Sequence, residues 1–71
     1  PTSGEFRVRV DGDVPRHSTV ECLDAMGRIV LQQAYVEGSP VQSRDLAPGV
    51  YVVRVNEPSG LTLAQGRLVV Q

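Results

Sequence analysis

Between residues 45 and 55 the chain reads Asp-Leu-Ala-Pro-Gly-Val-Tyr-Val-Val-Arg-Val, and no other stretch restricts the fold as strongly. Pro48 fixes its own φ at about −65°, and Gly49 follows where a turn wants positive φ, so Leu46-Ala47-Pro48-Gly49 carries the chemistry of a type II turn. Residues 50–55 are rich in β-branched and aromatic side chains, which predicts a strand. A turn that feeds an interior strand sets the register of both neighbours, because slipping a strand by one position turns its apolar set to the wrong face.

The rest of the chain reads as further short strands divided by turn formers. Residues 5–10, Glu-Phe-Arg-Val-Arg-Val, alternate charged and apolar side chains. Phe6, Val8 and Val10 are therefore expected to face a core, with Glu5, Arg7 and Arg9 in water. Pro1-Thr2-Ser3-Gly4 reads as an opening turn and Asp11-Gly12-Asp13 as the next one. Pro15 cannot donate to a ladder, which makes residues 14–18 a loop or an edge. Residues 19–24 alternate again, Val20 and Cys22 on one side and Leu23 on the other. Asp24-Ala25-Met26-Gly27 offers an acceptor at the first turn position and glycine at the last, the pattern of a tight hairpin on a type I turn.

The return arm, residues 28–36, also fits helical spacing through Val30 with Ala34 and Leu31 with Tyr35, but bounding glycines and β-branched content favour a strand. Glu37-Gly38-Ser39-Pro40 turns the chain into a short polar strand at residues 41–45. Asn56-Glu57-Pro58-Ser59-Gly60 is dense enough in turn formers for a hairpin loop. In the last arm Leu61 and Leu63 hold one phase while Leu68 and Val70 hold the other. A strand changes face only through an inserted residue, so a β-bulge is expected around Ala64-Gln65-Gly66.

Six to seven short strands without a convincing helix predict an all-β fold, a small antiparallel immunoglobulin-like β-sandwich. The 71 residues are expected to form one domain, 1–71, close to the smallest size at which a packed core suffices. A hydrophobic share of 41% places the chain with folded rather than disordered sequences. With Cys22 as its one cysteine it has no internal disulfide, so packing must supply the stability. The basic residues are all arginine and stand apart at 7, 9, 16, 28, 44, 54 and 67, so no basic run follows a nucleic-acid backbone. The longest apolar run, Val50-Tyr51-Val52-Val53, is far short of the ~18 residues of a membrane span. Neither nucleic acid nor direct membrane insertion is expected. A secretory signal peptide, absent from these residues, is expected upstream in a longer precursor.

The chemical inventory is sparse. Catalysis needs a nucleophile or metal with a base to serve it, and the chain holds one histidine, one cysteine and no lysine. His17 beside Ser18 reads as an exposed loop histidine, Cys22 as a buried inert thiol. Asp11-Gly12-Asp13 lacks the further acidic ligands of a calcium loop. Phe6, Tyr35 and Tyr51 are too few for an aromatic sugar platform, and Tyr51 is expected in the core with its hydroxyl on a backbone partner. No catalytic residue, metal site or cofactor is expected.

The order of turns and strands resembles the type A carboxy-terminal sorting domain of the type IX secretion system, found on exported proteins of Bacteroidetes. Pro1-Thr2-Ser3-Gly4-Glu5-Phe6 resembles the family's Asn-Pro-x-x-Gly-x-Phe opening, and Leu23-Asp24-Ala25-Met26-Gly27-Arg28-Ile29-Val30 its Asp-x-x-Gly-Arg-x-Val hairpin. Residues 45–55 resemble its Leu-x-x-Gly-Val-Tyr strand, and Gly66-Arg67-Leu68-Val69-Val70 its closing basic-apolar strand. The opening asparagine has no counterpart before Pro1, and Arg67 stands where the family often has lysine, which keeps the charge but not the donor geometry.

The resemblance implies a secretion signal rather than an enzyme. Such a domain is presented in the periplasm, recognised by the type IX translocon and its shuttle proteins, and passed through the outer membrane with its cargo to the cell surface or medium. A surface sortase of the gingipain-like class then removes it, cutting upstream of Pro1, and attaches the cargo to anionic lipopolysaccharide. The expected recognition residues are Arg67, Leu68, Val69, Val70 and Gln71, on a terminal strand whose edge could accept a partner's strand or support weak self-association. Asp24, Gly27, Leu46, Gly49 and Tyr51 are the motif residues expected to hold the structure. The competing expectation is an immunoglobulin-like adhesion or carbohydrate-binding accessory module.

Overall fold

The computed structural model describes residues 4–71, so the expected opening turn at Pro1-Thr2-Ser3 lies outside the described residues apart from Gly4. Alternation and turn chemistry yield six strands: β1 (Glu5–Arg7), β2 (Thr19–Leu23), β3 (Ile29–Ala34), β4 (Pro40–Gln42), β5 (Gly49–Asn56) and β6 (Thr62–Val70). They form two antiparallel sheets, one of β1 and β4 and one in the order β3-β2-β5-β6. The architecture is the expected all-β sandwich. Residues 28–36, ambiguous by spacing, form a strand over Ile29–Ala34 that pairs antiparallel with β2 at one edge of the larger sheet.

β5 is the interior strand that its composition predicts, hydrogen-bonded to β2 on one side and β6 on the other. Its odd-numbered side chains face inward. Tyr51, Val53 and Val55 join Val20 and Cys22 of β2 and Val41 of β4 as the buried core. In register Val20 lies opposite Val55, and Cys22 opposite Val53. Burying each such aliphatic side chain is worth roughly 1.5–3 kcal/mol. Phe6, Val8 and Val10 pack against this core while Arg7 and Arg9 are exposed, so the predicted alternation holds through residue 10. The hydrogen-bonded ladder is shorter than expected, because β4 offers partners only for Glu5, Phe6 and Arg7.

The two predicted hairpins close in the same way. In the first, Gly27 N–H donates to Asp24 O at 2.9 Å and Asp24 N–H to Arg28 O at 2.9 Å; in the second, Gly60 N–H donates to Glu57 O at 2.8 Å and Glu57 N–H to Leu61 O at 2.9 Å. Gly27 and Gly60 have φ of 84° and 98°, the left-handed conformation that ends a type I hairpin turn.

Three local expectations are corrected. The type II turn expected at Leu46-Ala47-Pro48-Gly49 does not form. The hydroxyl of Tyr51 takes the Ala47 carbonyl that such a turn would use, and Gly49, extended at φ 159°, already pairs with Val70 as the first residue of β5. The closed turn lies earlier, where Leu46 N–H donates to Ser43 O at 3.0 Å. That turn ends the strand expected over residues 41–45 at Gln42, beyond which Ser43 N–H donates to Gly4 O at 2.7 Å, one step further along the β1–β4 register. Finally, β6 changes phase nearer the hairpin than residues 64–66. Val55 pairs with Ala64 and Asn56 with Thr62, so Leu63 is the unpaired extra residue and Gly66 lies in regular ladder opposite Val53.

Candidate recognition surface

β6 ends the larger sheet, so one of its backbone edges has no neighbouring strand in that sheet. Its last residues are positioned by the ladder to β5, where Arg67 lies opposite Val52, Leu68 opposite Tyr51, Val69 opposite Val50 and Val70 opposite Gly49. Because the odd side chains of β5 point inward, Leu68 and Val70 share the inner face and are half-buried against the core. Arg67 and Val69 are on the outer face, Val69 at 53% exposure, and Gln71 is exposed beyond the strand. The five residues expected as a recognition surface therefore divide into two inward anchors and three exposed groups.

The motif residues occupy supporting positions. Asp24 accepts hydrogen bonds at Oδ1 from the backbone N–H groups of Met26 and Arg28, each at 2.9 Å, and pairs through Oδ2 with Arg28 Nε at 3.0 Å. The Arg28 amide chiefly, together with the Met26 amide and the Arg28 side chain, outweighs desolvation and holds the Asp24 carboxyl below its usual range. Gly27 supplies the positive φ of that hairpin. Leu46 packs half-buried against the core, and Tyr51 is buried with its hydroxyl on Ala47 O.

Two features have no local signature in the sequence. Glu21 lies on the outer face of β2 yet is only 5% exposed. Arg54 donates to Glu21 Oε1 from Nε at 3.0 Å and from Nη2 at 2.6 Å, and Gln32 Nε2 reaches Oε2 at 3.4 Å. Desolvation raises the Glu21 pKa, but hydrogen bonds from Asn56, Arg54 and Gln32 and the Arg54 charge outweigh it, leaving the carboxyl below its ordinary value. The second feature is a cleft of about 260 Å³ between residues 6–9 and the middle of β6, floored by Phe6, Val8, Val55 and Leu68.

The groups weighed for chemistry are separated. His17 lies in the exposed loop at φ 68°, and Ser18 turns its hydroxyl onto Pro15 O at 2.7 Å. Cys22 is fully buried, and burial pushes its thiol pKa up. Among the described residues no three His, Cys, Asp or Glu side chains gather closely enough to hold a metal ion.

Comparison with protein families matches residues 1–71 to the family described as the secretion system C-terminal sorting domain. Neither the comparison with curated proteins nor that with solved structures gave a match.

Proposed function

The chain belongs to the C-terminal sorting domain family of type IX secretion, and on that premise we propose that it is the folded signal by which the type IX translocon recognises an attached cargo in the periplasm. The family is that of a signal directing export to the cell surface or medium, and a sorting signal is not itself catalytic. The observation that carries the reading is the family match across all 71 residues. The finer steps are those of the family: shuttle proteins meet the exported domain, and a surface sortase detaches it.

The surface we assign to recognition is the exposed part of the terminal strand: Arg67, Val69 and Gln71, with Leu68 and Val70 anchoring it to the core. A signal must present the same surface on different cargoes. A strand fixed by a regular ladder on one side and unpaired on the other meets that need, with main-chain groups for affinity and alternate side chains for selectivity.

Deleting residues 67–71 would remove the partners of Gly49, Val50, Tyr51 and Val52 and confound recognition with folding. The cleaner test replaces the outward side chains, Arg67→Glu with Val69→Glu, in a domain fused to a periplasmic reporter in a type IX-competent host. Loss of export with an unchanged melting temperature supports the assignment. Export at the unsubstituted level refutes it.

A further inference from the structure

The two-stranded sheet covers only part of the inner face of its four-stranded partner. Gly66 shows where cover fails: it lies opposite the buried Val53, on the inward side of β6, yet a Cβ placed on it would meet no atom within 4 Å. Protein interiors are packed at crystal density, so an inward position facing open space is a break in the core. The break is the cleft between residues 6–9 and β6.

Charge and backbone add to this. Arg7, Arg9 and Arg67 are among the residues lining the cleft, and none of its lining residues is Asp or Glu, although the chain as a whole carries a net charge of −1; the Glu5 carboxylate, just outside the lining, stands 3.8 Å from Arg7 Nη2. β1 and β6, on its two sides, each stand at the end of their sheet.

Resting on the sorting reading above, we propose that this cleft seats an extended acidic segment of a partner protein, which places an apolar side chain over Gly66 and sets carboxylates against Arg7, Arg9 and Arg67. Alternation along an extended chain delivers that pattern, one side chain inward to the apolar floor and the next outward to the guanidinium groups. Carboxylate–guanidinium hydrogen bonds are among the stronger polar contacts and select against a basic partner. The free edge of β6 distinguishes a peptide from a simple amphiphile, since only a peptide offers the N–H and C=O groups to extend a ladder.

The test follows amide shifts of the isotopically labelled domain on adding a synthetic peptide that alternates glutamate and leucine, beside the same peptide with lysine for glutamate. The expected shifts fall on residues 6–9 and 64–68 with the acidic peptide alone, and weaken at high salt. Gly66→Leu fills the cleft from a position with open space and a φ outside the left-handed region, and abolishes binding while the spectrum stays that of a folded domain. Should that variant fail to fold, Arg7→Gln with Arg9→Gln leaves the floor intact and lowers affinity on the order of tenfold. Equal binding of the lysine peptide, binding unchanged by both sets of variants, or shifts with laurate but not with the acidic peptide would overturn the proposal. Failure of the unsubstituted domain to export a reporter, with the acidic peptide still bound in the cleft, would overturn the sorting reading and leave this one standing. Normal export without peptide binding would overturn this one alone.

Discussion

Glu21 and Arg54 face each other in register across β2 and β5, with the guanidinium donating to one carboxylate oxygen from both Nε and Nη2. Their pairing explains how a carboxylate comes to be buried on the outer face of the four-stranded sheet: side chains from the flanking strands close over it. Breaking a buried pair leaves an uncompensated charge, which costs more than the pair itself contributes. Glu21→Ala is expected to lower stability by about 1–3 kcal/mol, less than a deeply buried pair because the Arg54 side chain is 33% exposed. Urea unfolding of Glu21→Ala, Arg54→Met and the double variant measures the coupling, and additive losses would contradict it.

The same pair sets an acid dependence. The folded Glu21 pKa lies below its ordinary value of 4.5, so its contribution is fully present above the unfolded pKa and is lost as pH falls through the folded one. Denaturation midpoints measured below the ordinary value should therefore fall less steeply with acidification in Glu21→Gln than in the unsubstituted domain.

Asp24 organises the first hairpin through two backbone amides and one side chain. Asp24→Ala is expected to speed hydrogen exchange at the Met26 and Arg28 amides while leaving the Glu57 hairpin unchanged. Because the two hairpins share their backbone closure but not these side-chain bonds, the second serves as an internal control.

Tyr51→Phe keeps the ring in the core and removes only the hydroxyl bond to Ala47 O. The expected loss is about 0.5–1.5 kcal/mol in urea unfolding. Export of a fused reporter should be unaffected under conditions where the variant remains folded.

Cys22 is fully buried with its thiol pKa raised. A thiol-directed disulfide reagent is expected to label it only as the domain unfolds, at a rate that follows denaturant concentration. Rapid labelling of the native domain would contradict its inert place in the core.

Most of the fold was legible in the alternation of single strands. Residues 6–10 kept their predicted inward and outward sides even where the ladder stopped, while Glu5, expected in water, is half-buried. The first hairpin formed where acceptor and glycine stood at the ends of a four-residue turn, and the second within the run of turn formers at residues 56–60. What misled was chemistry decided by distant partners. Pro48-Gly49 has the dipeptide of a type II turn, but pairing of Gly49 with Val70 and capture of the Ala47 carbonyl by Tyr51 draw it into an extended strand. The phase change in β6 was visible in the spacing of its leucines, yet which residue carries it depends on the β5 register, and that residue is Leu63 rather than Gly66. Nothing local in the sequence marks Glu21 as buried, because its cover comes from Arg54 and Gln32 on the two neighbouring strands. The family motifs mark Gly49 and Tyr51 in sequence, but the cleft joins residues from the first and last strands and has no local signal.

The most direct test of the sorting role is fractionation of a type IX-competent host carrying a periplasmic reporter fused to this domain, beside an isogenic strain lacking the translocon. The reporter should reach the surface or medium in the first strain and be retained in the periplasm in the second. Retention in both strains, or equal release from both, would contradict the assignment of this domain as a type IX sorting signal.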